Sequence, residues 1–337
     1  MLSLLRTLLL CGSTLWAPEA HATPPDRWTG PLQAIDTLLR THSHDPDRWT
    51  DDSQAAFKRS LERLAAQAPH RAAFVEGFNR LWATQGPFSH VQLLPQPGSA
   101  EAVAQHLDAL NVGPSAVQLS WHGEVAVLAV HTLMGRDTQE AISAAYRAIV
   151  ARPARALILD LRENPGGAFA VRPLVGHLID QPLDTGVFLP RRTHSPPQAQ
   201  ALDAAPAWRG WSLQSFWTTV QTQPFTRIQF EPLAPHYAGP VAVLTSPRTA
   251  SAAEMAVDAL LRAQRVGVVG ERTAGRMLTQ KPFDVPGTDW VLMLPVADYH
   301  AWHSGRIEGQ GIRPTLAVPA ADALTVALTT LFPIPKP

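Results

Sequence analysis

Hydrophobic positions first settle into a helical period. Between Pro31 and about Trp82, Phe57, Leu61 and Leu64 stand at i, i+4 and i+7, and so do Phe74, Phe78 and Leu81. These stripes predict the buried faces of a small helical unit, which Gly86-Pro87 ends. From Val117 the pattern changes. Val117 to Trp121 alternates as a half-buried strand, His122-Gly123 marks a turn, and Val125 to Val130 is a continuous apolar run. Asp137 with Glu140 three residues on has capping-box spacing and predicts a helix to about Val150. Ala156 to Leu161 reads as a buried strand, Asn164-Pro165-Gly166-Gly167 as a loop, and Ala168 to Ile179 as a helix. Residues 181–238 hold many prolines and no clean period, and read as a loop-rich insertion. Then Val241–Thr245 is a strand, Ser251–Gln264 a helix, Val266–Val269 and Val291–Leu294 strands, and Ala321–Leu331 a closing helix. Strands alternating with helices imply an α/β fold with a largely parallel, covered sheet.

Ahead of this patterning stands a different kind of segment. Arg6, an apolar stretch from Leu8 to Trp16, and Ala20-His21-Ala22 have the three parts of a secretory leader, with cleavage expected after Ala22. The stretch is too short to span a bilayer. The expected organisation is therefore a signal peptide over 1–22, a helical N-terminal domain over 23–96, and a core over 97–337 that contains the 181–238 segment. The expected product is exported, periplasmic or secreted, with no stable membrane insertion once the leader is removed.

Composition narrows the chemistry. The chain has 337 residues, 45% of them apolar and 17% charged, which is globular usage. Lys+Arg and Asp+Glu are both 28, so no basic surplus is available to neutralise a phosphate backbone, and nucleic acid is not expected as a partner. The single cysteine, Cys11, excludes a disulfide framework, a cysteine-based zinc site and a cysteine nucleophile. The histidines show no metal-ligand spacing, so neither metal nor cofactor is expected.

Three segments can carry chemistry. In Leu157-Ile158-Leu159-Asp160-Leu161-Arg162-Glu163-Asn164-Pro165-Gly166-Gly167 a buried strand runs into paired glycines. Their exposed N–H groups suit an oxyanion hole; a tight strand-to-helix turn is the plainer reading. Asp160 and Arg162 read as a structural pair. In Val243 to Glu254 a strand ends, turns, and delivers Ser251 to a helix N-terminus. Helix N–H groups there favour developing negative charge, so Ser251 is a candidate nucleophile with Ala252 N–H as an oxyanion donor; an N-cap is the commoner use of such a serine. Glu254 suits the same helix start. The third segment is Val268-Val269-Gly270-Glu271-Arg272-Thr273-Ala274-Gly275-Arg276 through Gln280, with Gly305-Arg306-Ile307-Glu308-Gly309-Gln310-Gly311-Ile312-Arg313-Pro314 after it.

Together these blocks, in order over roughly residues 116 to 318, resemble the S41 family of serine peptidases, the carboxy-terminal processing or tail-specific proteases. The resemblance implies a ClpP/crotonase-like core of ββα units and Ser251 as nucleophile. It places position 276 at the family's basic lysine and Gln280 at the glutamine that orients it. Phe88-Ser89-His90 stands near a short N-terminal element of the family. About 20 residues separate Leu94 from Ala116, too few for the PDZ domain that many relatives insert, so carboxylate recognition by that route is not expected.

One departure matters for mechanism. Position 276 is arginine. Holding a guanidinium neutral at pH 7 would cost roughly 7–9 kcal/mol, about the size of a whole catalytic effect, so Arg276 is rejected as the base and read as a substrate-binding cation or an ion-pair partner. Another group must then take the Ser251 proton. The tricorn-like branch of the superfamily draws a histidine from the strand before the glycine loop. That position falls near Ala129 here, and His131 is two residues on, so His131 is the expected base, with His90 and His300 as weaker candidates. The expected function is an exported serine peptidase acting on peptides or unfolded protein. The alternatives are a catalytically silent binding protein on the same scaffold and an esterase for small acyl substrates.

Overall fold

The computed structural model describes residues 26–42, 49–95, 98–191, 197, 201 and 204–332; the expected leader, 1–22, lies outside them. Three helices come first: α1 (Asp26–His42), α2 (Asp51–Gln67) and α3 (Arg71–Gln85). Thr50 Oγ1 caps α2 through the Ser53 N–H (3.3 Å), and His70 Nδ1 caps α3 through the Ala73 N–H (3.2 Å). Strand β1 (Gln92–Pro95) and helix α4 (Ala100–Ala109) follow. The rest of the chain is β2 (Val117–His122), β3 (Val125–Val130), α5 (Arg136–Ala151), β4 (Ala156–Asp160), α6 (Val171–Gly176), β5 (Leu183–Pro190), α7 (Leu213–Thr222), β6 (Thr226–Phe230), β7 (Val241–Thr245), α8 (Ala252–Arg262), β8 (Val266–Gly270), β9 (Leu278–Asp284), β10 (Trp290–Ala301), β11 (Gly305–Arg306), β12 (Leu316–Ala317) and α9 (Ala323–Val326).

The strands form two sheets. The first has the order β12-β8-β7-β4-β3-β2, parallel except for β2, which pairs antiparallel with β3. Its central strands are apolar up to their C-terminal ends, at Asp160 and Thr245, because both faces are buried. Leu128, Val130, Leu157, Leu159 and Val243 face a core shared with α5, α6 and α8. Val125, Val127, Ile158 and Leu244 face the C-terminal turns at Ala323 and Ala327. Each such fully buried aliphatic side chain contributes roughly 1.5–3 kcal/mol. The second sheet is antiparallel and gathers around the long strand β10, which pairs with β1, β5, β9 and β11, while β6 extends it beyond β5.

Helices α1 to α3 pack on this second sheet. Trp28 stacks on Phe74 (4.6 Å between centroids), Phe74 stacks on Trp290 (5.3 Å), and Leu278, Leu292 and Leu294 complete the same cluster. The helical region therefore shares its core with strands from the other end of the chain.

Several elements differ from the sequence expectation, each for a local reason. Asp137 does not open α5 as a capping box. The N-cap is Gly135, and the Asp137 carboxylate instead accepts the N–H groups of Val112 (3.0 Å) and Gly113 (2.7 Å). The helix expected at 168–179 covers only Val171–Gly176, because Ala168 donates its N–H to Leu133 O (2.9 Å) and Gly167 bridges to Leu133. The 181–238 segment carries β5, α7 and β6 among its described residues, so it builds sheet as well as loop. Strand β9 has no legible pattern because Pro282 interrupts it; among the described residues β9 pairs only with β10, and an edge strand tolerates proline.

Candidate active site

Ser251 occupies the sharp turn between β7 and α8. Its backbone is at φ 55°, ψ −123°, a left-handed φ that costs a non-glycine residue roughly 1–3 kcal/mol. An ordinary N-cap is extended, as Thr50 is at φ −68°, ψ 161°. The strain is held by hydrogen bonds. Glu254, fully buried, accepts the N–H of Ser251 (3.0 Å), Gly275 (2.8 Å) and Arg276 (2.9 Å) and the hydroxyl of Thr273 (2.5 Å). Burial pushes its carboxyl upward, and these four bonds pull it back. Glu254 thus ties the serine turn to the 273–276 loop, a larger role than stabilising its own helix end.

The paired glycines lie against the serine. A Cβ on Gly166, at φ +96°, would stand 2.6 Å from Ser251 Cβ and 3.1 Å from Ala252 N, so only glycine fits. The buried Asn164 fixes this loop: Nδ2 donates to Val130 O (2.8 Å), Oδ1 accepts Gly166 N–H (2.8 Å), and its carbonyl accepts Ala250 N–H (3.0 Å). The Gly166 N–H is therefore engaged. The N–H groups of Gly167 and Ala252 have no protein acceptor among the described residues, and both residues line the cavity, so these donors are available to an oxygen bound there.

Of the expected site residues, Ser251, Gly166, Gly167, Ala252 and Gln280 all line one cavity of about 520 Å³. His131 does not. It lines a separate cleft with Asp160, Arg162, Glu163, Arg248 and Ala320. Arg162 forms a bidentate pair with Asp160 there (2.6 and 2.8 Å). His131 follows β3 on the side of Val125 and Val127, which faces the C-terminal turns, whereas α8 packs on the other face. Positions 129 and 131 do share a strand face, but that face is turned away from α8 and Ser251, so His131 is not placed to serve as the base. Arg276 has an exposed side chain, and His300 lies on β10 with its ring 6.1 Å from Trp302.

The histidine in the Ser251 cavity is His90. It too has a left-handed backbone, φ 63°. Its Nδ1 lies 2.5 Å from Ser89 Oγ, and Ser89 Oγ donates to Glu308 Oε2 (3.0 Å). Glu308 is buried and also accepts the N–H of Ser89 (3.0 Å) and of Met277 (2.7 Å). The Ser89 hydroxyl has one proton, and Glu308 takes it. Ser89 Oγ must then accept from Nδ1–H, which leaves His90 Nε2 bare, as an acceptor. Burial first and the nearby Arg276 charge second lower the His90 pKa to about 4, so the ring is neutral at pH 7. Sequence reasoning ranked His90 low and gave Ser89, Asn164 and Glu308 no role. The one signal in the sequence is a serine next to a histidine just after a helix end, near where S41 peptidases carry a short N-terminal element. Among the described residues no group of three or more His, Cys, Asp or Glu side chains is placed to hold a metal ion, and no helix is long and apolar enough to cross a membrane.

Comparison with known proteins agrees with this architecture. The sequence model of Peptidase family S41 matches residues 124–318. Among solved structures, a protein of Parabacteroides merdae named as a candidate peptidase superimposes with TM-score 0.53 at 13% identity, over 89% of this chain and 90% of its own. The photosystem II D1 C-terminal processing protease gives 0.53 at 14% identity, over 91% and 99%. A lipoprotein from Streptococcus agalactiae gives 0.53 at 16%, over 86% and 91%. At these identities the likeness is one of fold.

Proposed function

The chain belongs to peptidase family S41, and from that premise we propose that it is a serine peptidase in which Ser251 is the nucleophile and His90 its general base. Ser251 Oγ attacks the carbonyl of a peptide substrate and passes its proton to His90 Nε2. The N–H groups of Gly167 and Ala252 receive the developing oxyanion. His90 then returns the proton to the departing amine, and water, activated by the same imidazole, releases the acyl group from Ser251. Ser89 and Glu308 are positioning residues: they fix the tautomer and steady the transient imidazolium. Arg276 flanks the site as a cation able to meet a substrate carboxylate, and Gln280 lines the cleft. Export is part of the proposal and rests on the leader pattern of residues 1–22.

The observation that carries this reading is the chain Glu308–Ser89–His90 ending in the cavity that also holds a strained serine at a helix N-terminus. The silent-scaffold alternative arose from Arg276 replacing the family lysine. The His90 relay removes that motive, because a base no longer has to come from position 276.

A fluorophosphonate probe tests the assignment on the full chain. The wild type should label in stoichiometric amount, Ser251→Ala should not label, and His90→Ala should label roughly 10²-fold or more slowly with its circular dichroism unchanged. His131→Ala should label at the wild-type rate. Absence of labelling in the wild type, or slowing in His131→Ala but not in His90→Ala, would overturn it.

A further inference from the structure

The cavity that holds Ser251 extends well beyond the reacting groups, toward the second sheet. Its apolar wall includes Phe188 on β5, Phe216 and Trp217 on α7, Ile228 and Phe230 on β6, and Met255 on α8. Met255 is one helical turn from Ser251. All but Met255 come from the segment 181–238, which the sequence left without a role.

The wall is apolar and carries no carboxylate: His90 and Arg172 are the only titratable side chains lining the cavity among the described residues. Arg172 is already engaged. Its guanidinium lies over the rings of Trp211 (4.5 Å), Trp208 (4.9 Å) and Phe169 (5.7 Å) and donates to the carbonyls of Trp208 (3.3 Å) and Arg209 (3.2 Å).

We propose that this wall is the pocket for the side chain on the acyl side of the scissile bond, and that the enzyme cleaves after large apolar residues, aromatic or long aliphatic. The inference rests on Ser251 being the nucleophile. The acyl group is the part of the substrate bonded to Ser251 Oγ, so its own side chain is the one that reaches the wall around Met255. A phenylalanine or leucine there exchanges water for rings and methyls. An alanine leaves the space unfilled. A lysine loses its hydration, finds no carboxylate, and meets the Arg172 charge instead.

The test is a peptide series varied only at the acyl-side residue (Phe, Leu, Ala, Lys, Glu), with kcat/KM read for each alongside fluorophosphonate labelling of Ser251. Phe and Leu should exceed both Ala and Glu by roughly 10- to 100-fold, and Lys should fall below Ala. Filling the pocket with Ile228→Trp should lower the Phe:Ala ratio at least roughly 10-fold. Should that variant not fold, Phe216→Ala, which deepens the pocket, should move the optimum toward Trp. A flat series, or Ala, Lys or Glu preferred, with Ser251 still labelling, overturns the pocket and leaves the nucleophile standing. No labelling overturns both.

Discussion

His90 should act as a base that stays unprotonated far below neutral pH, and this can be read in both activity and stability. Its pKa falls from 6.5 to about 4, chiefly because the ring is buried and secondarily because Arg276 is close. The acid limb of the kcat/KM–pH profile reports the base of the free enzyme, so it should fall near pH 4 instead of near 6.5. The same displacement is linked to folding. Above pH 6.5 the ring is neutral in both states and contributes nothing. Between 6.5 and 4 the unfolded chain binds a proton that the folded one refuses, so stability falls as pH falls. Below 4 both states are protonated and the loss is complete. At about 1.4 kcal/mol per pKa unit, the complete loss amounts to roughly 3–4 kcal/mol, about 3 of it reached by pH 4.

Urea unfolding at pH 7.5 and pH 4 should therefore show the wild type losing about 3 kcal/mol more over this window than His90→Gln, which has no proton to take up. Arg276→Gln should move the acid limb upward but keep it below 6.5, because burial is the larger cause. An acid limb at 6.5 or above, or equal pH slopes in wild type and His90→Gln, would refute the reasoning.

Two further variants probe the supports of the site. Gly166→Ala places a methyl 2.6 Å from Ser251 Cβ at a backbone φ of +96°; it should abolish labelling and lower the urea midpoint, and retention of activity would show that the glycine loop lies elsewhere. Ser89→Ala breaks the link between His90 Nδ1 and Glu308; kcat should drop roughly 10²-fold with KM little changed, and Ser89→Thr should restore much of it, whereas an equal loss in both variants would point to packing instead of the hydroxyl.

The parallel sheet was legible because its information is local. Val125–Val130, Ala156–Leu159 and Val241–Leu244 are uninterrupted apolar runs, as burial on both faces requires, and the loops after them carry glycine or a serine at a helix start. The nucleophile turn and the glycine loop were legible for the same reason, since each lies within a dozen residues. Strand β9 and the pocket wall of β5, α7 and β6 were not, because a short edge strand with a proline and a segment rich in proline have no period to read. The base was missed on geometry: alternation says that positions 129 and 131 share a face, but only the packing shows that this face looks toward Ala323 and Ala327, away from α8.

Arg276 misled for a related reason. A lysine 25 residues after the serine is local information, so its replacement reads as the loss of the base. The relay on which the proposed mechanism depends is assembled from the two ends of the chain instead: Ser89 and Glu308 are 219 residues apart and meet because β1, just after His90, pairs with β10, just before Glu308. Under this assignment position 276 is released from proton transfer, and an arginine there acquires a different effect, since its charge helps hold His90 neutral. The packing of α1 to α3 on the second sheet then has a catalytic consequence. Trp28 and Phe74 stack against Trp290 at the start of β10, so the helices that deliver Ser89 and His90 are anchored to the strand that leads to Glu308. Loosening that aromatic stack would separate the relay from its carboxylate without touching any residue that meets the substrate.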